Sequence, residues 1–238
     1  MIARVDPPSA APIMTIAAHP DDIESWCAGT LARSVDAGAV VGLLLVTSGE
    51  HGTDNPSDRP EAVAARRQEE ALAAARDIGI AQVAFLHYPD GDVEDTHHLR
   101  GDLVAWIRRW RPAVVFTHDP EHPFPPYLCH RDHRVVGRAV LDAIYPLARD
   151  PLSFPQRLKD GPASHAVGEA WLFASANPTV SLVDISDTFE RKVTARLAHR
   201  SQTPDPERLR EDWRERAARI GAPAGLPLAE AFHVLRIG

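Results

Sequence analysis

Residues 13–24 read Ile13-Met14-Thr15-Ile16-Ala17-Ala18-His19-Pro20-Asp21-Asp22-Ile23-Glu24. An unbroken apolar run is the pattern of a strand buried on both faces, as in a parallel sheet covered by helices. It ends on a histidine, a proline and two adjacent carboxylates, and a helical pattern follows. The carboxyl ends of strands are where open α/β sheets build their sites. Pro20 fixes the turn and so the direction of its neighbours.

The same unit recurs along the chain. Further strands are expected at Val40–Thr47, Gln82–Leu86 and Ala113–Thr117. Helices are expected between and after them, at Ile23–Ala37, Glu61–Ile78, Leu99–Arg111 and Asp132–Tyr145. Gly38 and Gly79 stand at helix C-caps, and Pro112 follows the third helix and cannot continue it. Alternating strand and helix implies right-handed crossovers, hence an α/β fold with a mainly parallel sheet and helices on both faces. Residues 1–145 form this core. Residues 146–168 carry four prolines and read as an irregular connection. Beyond it, Ala170–Ala174, Ser181–Val183 and Phe232–Ile237 read as strands, and Phe189–Ala198 and Glu207–Ile220 as helices. The whole chain, 1–238, is expected to be one domain with a small C-terminal cap region.

Composition narrows the function. The 238 residues carry a formal net charge of −7, which opposes a nucleic-acid role. Cys27 and Cys129 make no disulfide framework, so a reduced, cytoplasmic setting is expected. No apolar run approaches a membrane span, and residues 1–12 hold no apolar signal-peptide segment. Twelve histidines against three tyrosines raise the case for metal chemistry.

His19 and Asp22 offer a nitrogen and an oxygen to a borderline metal such as zinc, with Asp21 placed as a general base. The plainer reading, that an aspartate only caps the helix, accounts for one of the two. Cys129-His130-Arg131-Asp132-His133 opens the fourth helix. His130 and His133 share a helix face. One of them would complete a set of three protein ligands with an open position, the pattern of a catalytic zinc site. The other could stabilise an oxyanion or protonate a leaving group, oriented by Asp132. Glu24 either supports the site from behind or favours its helix dipole. Thr47-Ser-Gly-Glu50-His-Gly52 can line a ligand, although a turn explains it as well. On the second helix, residues placed about 100° apart put Arg67 with Val63, Ala74 and Ile78, while Arg66 falls on the solvent side. Arg67 therefore points inward, toward a site or toward an ion pair with Glu70. Asp90, in Pro89-Asp-Gly91, lies on the same loop face, as does His118-Asp119-Pro120; each alone is a turn by default.

Taken together, these motifs resemble the PIG-L/LmbE-like zinc N-deacetylases. The matching stretches are Ala18–Glu24, Thr47–Gly52, Arg67-x-x-Glu70, Pro89–Gly91, Thr117–Pro120 and His130–His133, continued by Val183–Ser186, His199–Gln202 and Ala229–Phe232. The resemblance implies a Rossmann-like fold and hydrolysis of an N-acetyl group, commonly on a glucosamine-type sugar or glycoconjugate. It implies one zinc ion, or another divalent metal, held by His19, Asp22 and His133. It makes Asp21 the base, His130 the charge-stabilising acid and Arg67 a substrate contact, with Glu50 and Asp90 beside it. The stretches 146–168 and 203–228 are least like the family and could form a cap that selects substrate. Other readings are an amidase of the same family acting on a larger acyl group, and a metal-containing binding module without turnover. A dinucleotide-binding module is disfavoured because no Gly-x-Gly-x-x-Gly follows the first strand. No nucleic-acid or membrane partner is expected, and a homo-oligomer is left open.

Overall fold

The computed structural model describes residues 2–121, 129–157, 164–174 and 180–238. Its strands are β1 (Ile2–Arg4), β2 (Ile13–Ala17), β3 (Val41–Thr47), β4 (Gln82–Tyr88), β5 (Val114–His118), β6 (Glu169–Phe173), β7 (Val180–Asp184) and β8 (Ala229–Arg236). The α-helices are α1 (Asp22–Trp26), α2 (Ala28–Asp36), α3 (Pro60–Ile78), α4 (His97–Trp110), α5 (Arg131–Asp142), α6 (Phe189–Ala198) and α7 (Pro206–Gly221). Parts of the expected 146–168 connection and of the loop after β5 lie outside the described residues.

The strands form one sheet in the order β1-β7-β8-β6-β5-β2-β3-β4. All neighbours are parallel except β8, which runs antiparallel to both β6 and β7. This is the α/β, mainly parallel architecture expected from the apolar runs. Side chains of β2 alternate between two cores: Ile13 and Ala17 pack with α2, α3 and α6, and Met14 and Ile16 pack with α4 and α5. A strand buried on both faces needs this continuous hydrophobicity. Chain order reverses at β2, with β3 on one side and β5 on the other. The crevice beyond their carboxyl ends is the topological switch point where α/β sheets bind ligands. His19 follows β2, and His118 closes β5.

Two elements differ from expectation. The helix expected at Ile23–Ala37 is broken at Cys27 (φ −138°, ψ 0°) into α1 and α2. The Glu230 carboxylate accepts the N–H groups of Gly29 and Thr30 at 3.1 and 2.8 Å, and so caps α2 from the far end of the chain. Lys192 pairs with the same carboxylate at 2.5 Å. The fourth helix ends as α-helix at Asp142; residues 143–147 continue with wider hydrogen bonding, and Tyr145 leaves helical geometry before Pro146. Buried Arg108 then fastens the following stretch by donating to the carbonyls of Leu147, Ala148, Asp150 and Ser153. The edge strand β1 carries no apolar pattern that would announce it.

Helix α5 approaches β5 closely. A Cβ on Gly137 would lie 2.5 Å from the His118 carbonyl oxygen, so only glycine lets the helix bring His133 against His118.

Candidate metal centre

The carboxyl end of β2 hands the chain to α1 through Asp21, whose φ of 88° is left-handed. Aspartate tolerates that region better than most side chains. Its carboxylate makes no capping hydrogen bond to α1, so the capping account of Asp21 does not hold. Asp22 turns inward and is 6% exposed; its Oδ2 accepts the His19 N–H at 2.8 Å, which closes the turn.

Two ring nitrogens and both oxygens of one carboxylate converge there. His19 Nδ1 and His133 Nε2 are 3.1 Å apart, His133 Nε2 and Asp22 Oδ1 are 3.0 Å apart, and His19 Nδ1 and Asp22 Oδ2 are 3.6 Å apart. Ligands about 2.05 Å from one tetrahedral ion stand roughly 3.3 Å from one another. The donor set therefore fits a single divalent ion. Overlapping groups of potential ligands in the same crevice are His19, His130 and His133; Asp22, His118 and His133; and His19, Asp90 and Asp132.

The remaining residues surround this point in ways the sequence did not settle. His118 stacks on His133 with centroids 4.1 Å apart and an interplanar angle of 13°. Its Nε2 accepts the Ala18 N–H at 3.1 Å, 3.2 Å from Asp22 Oδ2. In the sequence His118-Asp119-Pro120 is a turn by default; the signal for a larger role is the place of His118 as the last residue of a buried strand. Asp132 does not hold His130 as expected: its carboxylate meets His19 Nε2 at 3.2 Å and accepts the Gly91 N–H at 2.7 Å. Asp90 also reaches His19 Nε2, at 3.0 Å, while its Oδ2 accepts the His51 N–H. Glu50 accepts the Asp90 N–H at 2.9 Å. Asp90 and Asp132 thus orient the His19 ring, a carboxylate–histidine arrangement common behind metal ligands. Glu50 fastens the turn that carries Asp90, and both therefore support His19.

Arg67 is inward, as the helical pattern required, and Arg66 is exposed. The alternative partner Glu70 goes elsewhere, accepting from Ser201 N and Oγ at 2.7 and 2.6 Å. Arg67 donates to the carbonyls of Gly49 and Pro20 at 2.8 and 2.7 Å, and its Nη2 is 3.4 Å from Asp21 Oδ1. A Cβ on Gly49 would lie 2.2 Å from Arg67 Nη1. That explains a glycine in the 47–52 loop, and it sets Arg67 beside Asp21. Glu24 is buried 3.5 Å from His199 Nε2, behind the site.

His130 sits edge-on to His19, centroids 4.7 Å apart at 88°. Its Nδ1 accepts the Asp132 N–H at 3.2 Å, which assigns the ring proton to Nε2. Burial, with the charges of His19 and His133, lowers its pKa. With Nδ1 accepting, Nε2–H is the donor this ring presents.

In the metal-free protein, burial works against a charge on His19, but hydrogen bonds to Asp132, Asp22 and Asp90 push its pKa up to about 12. His133 is pushed up to about 9, burial being outweighed by Asp22. Asp22 is held well below the usual carboxylate range, against burial, by His133 and His118. His118 is brought down to about 4 by burial and by the charge of His133. Burial raises the Asp21 pKa, with Arg196 opposing and Asp22 adding. Raised histidine values stabilise the metal-free fold fully below the unfolded value of 6.5. That contribution is lost as pH climbs through about 9 and then about 12. Ligation needs both imidazoles neutral, so ion uptake at neutral pH is expected to release about two protons and to tighten with rising pH. Calorimetric titration in buffers of different ionisation enthalpy counts them. A proton count of zero would remove His19 and His133 from the ligand set.

Fold and crevice together define an α/β protein with a buried histidine–carboxylate cluster that could hold a metal ion at its switch point. Residues 14–144 match the family described as PIG-L, GlcNAc-PI de-N-acetylase, and the chain belongs to that family. It is 32% identical over 193 residues to a diacetylchitobiose deacetylase of Thermococcus kodakarensis, covering 81% of this chain and 70% of the relative. It is 30% identical over 201 residues to a probable N-acetyl-alpha-D-glucosaminyl L-malate deacetylase of Bacillus cereus, covering 80% and 83%. Among solved structures, an N,N'-diacetylchitobiose deacetylase from Pyrococcus horikoshii aligns with a TM-score of 0.87 at 28% identity, over 95% of this chain and 84% of the other.

Proposed function

We propose that the chain hydrolyses the acetamide of an N-acetylglucosamine unit in a small sugar or sugar conjugate, with one zinc ion held by His19, Asp22 and His133. The observation that carries this is the convergence of His19 Nδ1, His133 Nε2 and the Asp22 carboxylate at 3.0–3.6 Å, with Asp21 and His130 beside them. The names of the relatives support the substrate class. Bound zinc would polarise the amide carbonyl and make water nucleophilic near neutral pH.

The side chains supply the rest. Asp21 takes a proton from the attacking water as oxygen adds to the acetyl carbon. Burial raises the Asp21 pKa and so strengthens it as a base, and the carboxylic acid it becomes passes the proton to the departing nitrogen, which is more basic than a carboxylate. The C–N bond breaks, and acetate and a free amine leave. His130 presents Nε2–H to the developing oxyanion, where a preorganised donor acts without rearrangement. Asp90 and Asp132 hold the His19 ring, and Arg67 holds Asp21. Buried, unpaired Cys27 and Cys129 accord with a reducing, cytoplasmic setting. Among the described residues no helix is long and apolar enough to cross a membrane.

Incubation of the zinc-loaded protein with N-acetylglucosamine and N,N'-diacetylchitobiose is expected to release acetate stoichiometrically with free amine. Release only from amides with longer acyl chains would replace the deacetylase reading by an amidase. No release from either set would leave a binding module.

A further inference from the structure

We propose that Arg196, on α6, is a positioning residue for the reaction: it pairs with Asp21 from the side opposite Arg67 and fixes the carboxylate across the mouth of the metal centre. The inference rests on the reading of Asp21 as the proton carrier. Arg196 lies outside the stretch that matches the family, on an element far from the His19–Glu24 segment in sequence.

The geometry is specific. Arg196 is buried, and its Nη2 stands 3.5 Å from Asp21 Oδ2, while Arg67 Nη2 stands 3.4 Å from Oδ1. These are ion-pair distances beyond good hydrogen bonding, so each guanidinium acts on the carboxylate mainly through charge. Two cations on opposite oxygens set the plane of the carboxylate, which neither cation alone would do. The guanidinium of Arg196 is itself held: Nη1 donates to Thr203 Oγ1 at 2.8 Å, and Nη2 donates to the Gln202 carbonyl at 3.0 Å. The turn that carries those acceptors is clamped in turn. Ser201 binds Glu70 of α3 through both N and Oγ, and Gln202 Nε2 donates to the Gly52 carbonyl at 2.8 Å. A chain of contacts, exposed at Ser201 and buried at Arg196, therefore runs from the loops beside His19 through the 199–203 turn to Arg196 and back to Asp21. Its effect is to hold a left-handed aspartate, φ 88°, in one orientation. A proton carrier misplaced by about 1 Å can lose roughly a hundredfold in rate.

The test is a double-mutant cycle on kcat with metal content measured throughout. Arg196→Met is expected to keep full zinc and a KM within about twofold while kcat falls roughly 10- to 100-fold. Arg196→Lys is expected to recover part of that loss. On an Asp21→Asn background, where no carboxylate remains to be held, Arg196→Met is expected to change the residual kcat by less than about twofold. Equal losses from Arg196→Met in both backgrounds would overturn the proposal. Wild-type kcat in Asp21→Asn would instead overturn the role of Asp21. Should Arg196→Met fail to fold, the Arg196→Lys cycle on the two backgrounds gives the same decision.

Discussion

An Asp22→Ala protein is expected to purify with little metal and to release acetate more than about a thousandfold more slowly than wild type. Loss of a contact behind a metal ligand costs roughly 10- to 100-fold, and loss of a ligand exceeds that. Asp22 brings the only carboxylate among the three converging ligands, and its Oδ1 stands 3.0 Å from His133 Nε2. Its Oδ2 also closes the turn by accepting the His19 N–H, so the substitution frees one ligand and loosens another. Elemental mass spectrometry reads the metal. A thermal scan adds an independent reading, because added zinc raises the melting temperature only of a protein that binds it in the folded state. Full metal content together with wild-type turnover in Asp22→Ala would remove the ligand set.

Asp21→Asn is expected to separate binding from chemistry. The amide keeps the size of the carboxylate and touches no ligand atom, so metal content is expected to match wild type. It cannot carry a proton, and kcat is expected to fall roughly 10²- to 10⁴-fold, the range of a positioned acid–base group. KM is expected to move little, because the change removes an interaction made in the transition state. Acetate release measured at saturating substrate reads the effect directly. Turnover at the wild-type rate would pass the proton role to another group, with His130 next in line by position.

What was readable beforehand follows distance along the chain. The sheet and its crossovers were legible because β2, β3 and β5 are continuous apolar runs and glycines mark the helix ends. Within the site, His19, Asp21 and Asp22 lie in one turn, and His130, Asp132 and His133 in another, so their grouping is local. The inward aim of Arg67 came from helical period alone. The failures are long-range. The break at Cys27 depends on a carboxylate from Glu230, 201 residues beyond Gly29, and no local propensity encodes it. Asp132 and Asp90 were given other partners because ring orientation at His19 is decided where three loops meet. His118 and Arg196 look ordinary in sequence: one ends a strand, the other is an arginine near the end of a helix.

Strand β8, the last element, does not lie at an edge of the sheet; it is inserted between β6 and β7. The chain therefore cannot complete its sheet in the order in which it is synthesised. Until residues 229–236 arrive, β6 and β7 each present an open row of backbone donors and acceptors, and such rows invite pairing with foreign strands. The same strand delivers Glu230 to the start of α2, the helix directly downstream of the metal ligands. The motif at His19–Asp22 thus waits on a strand some two hundred residues further along the chain.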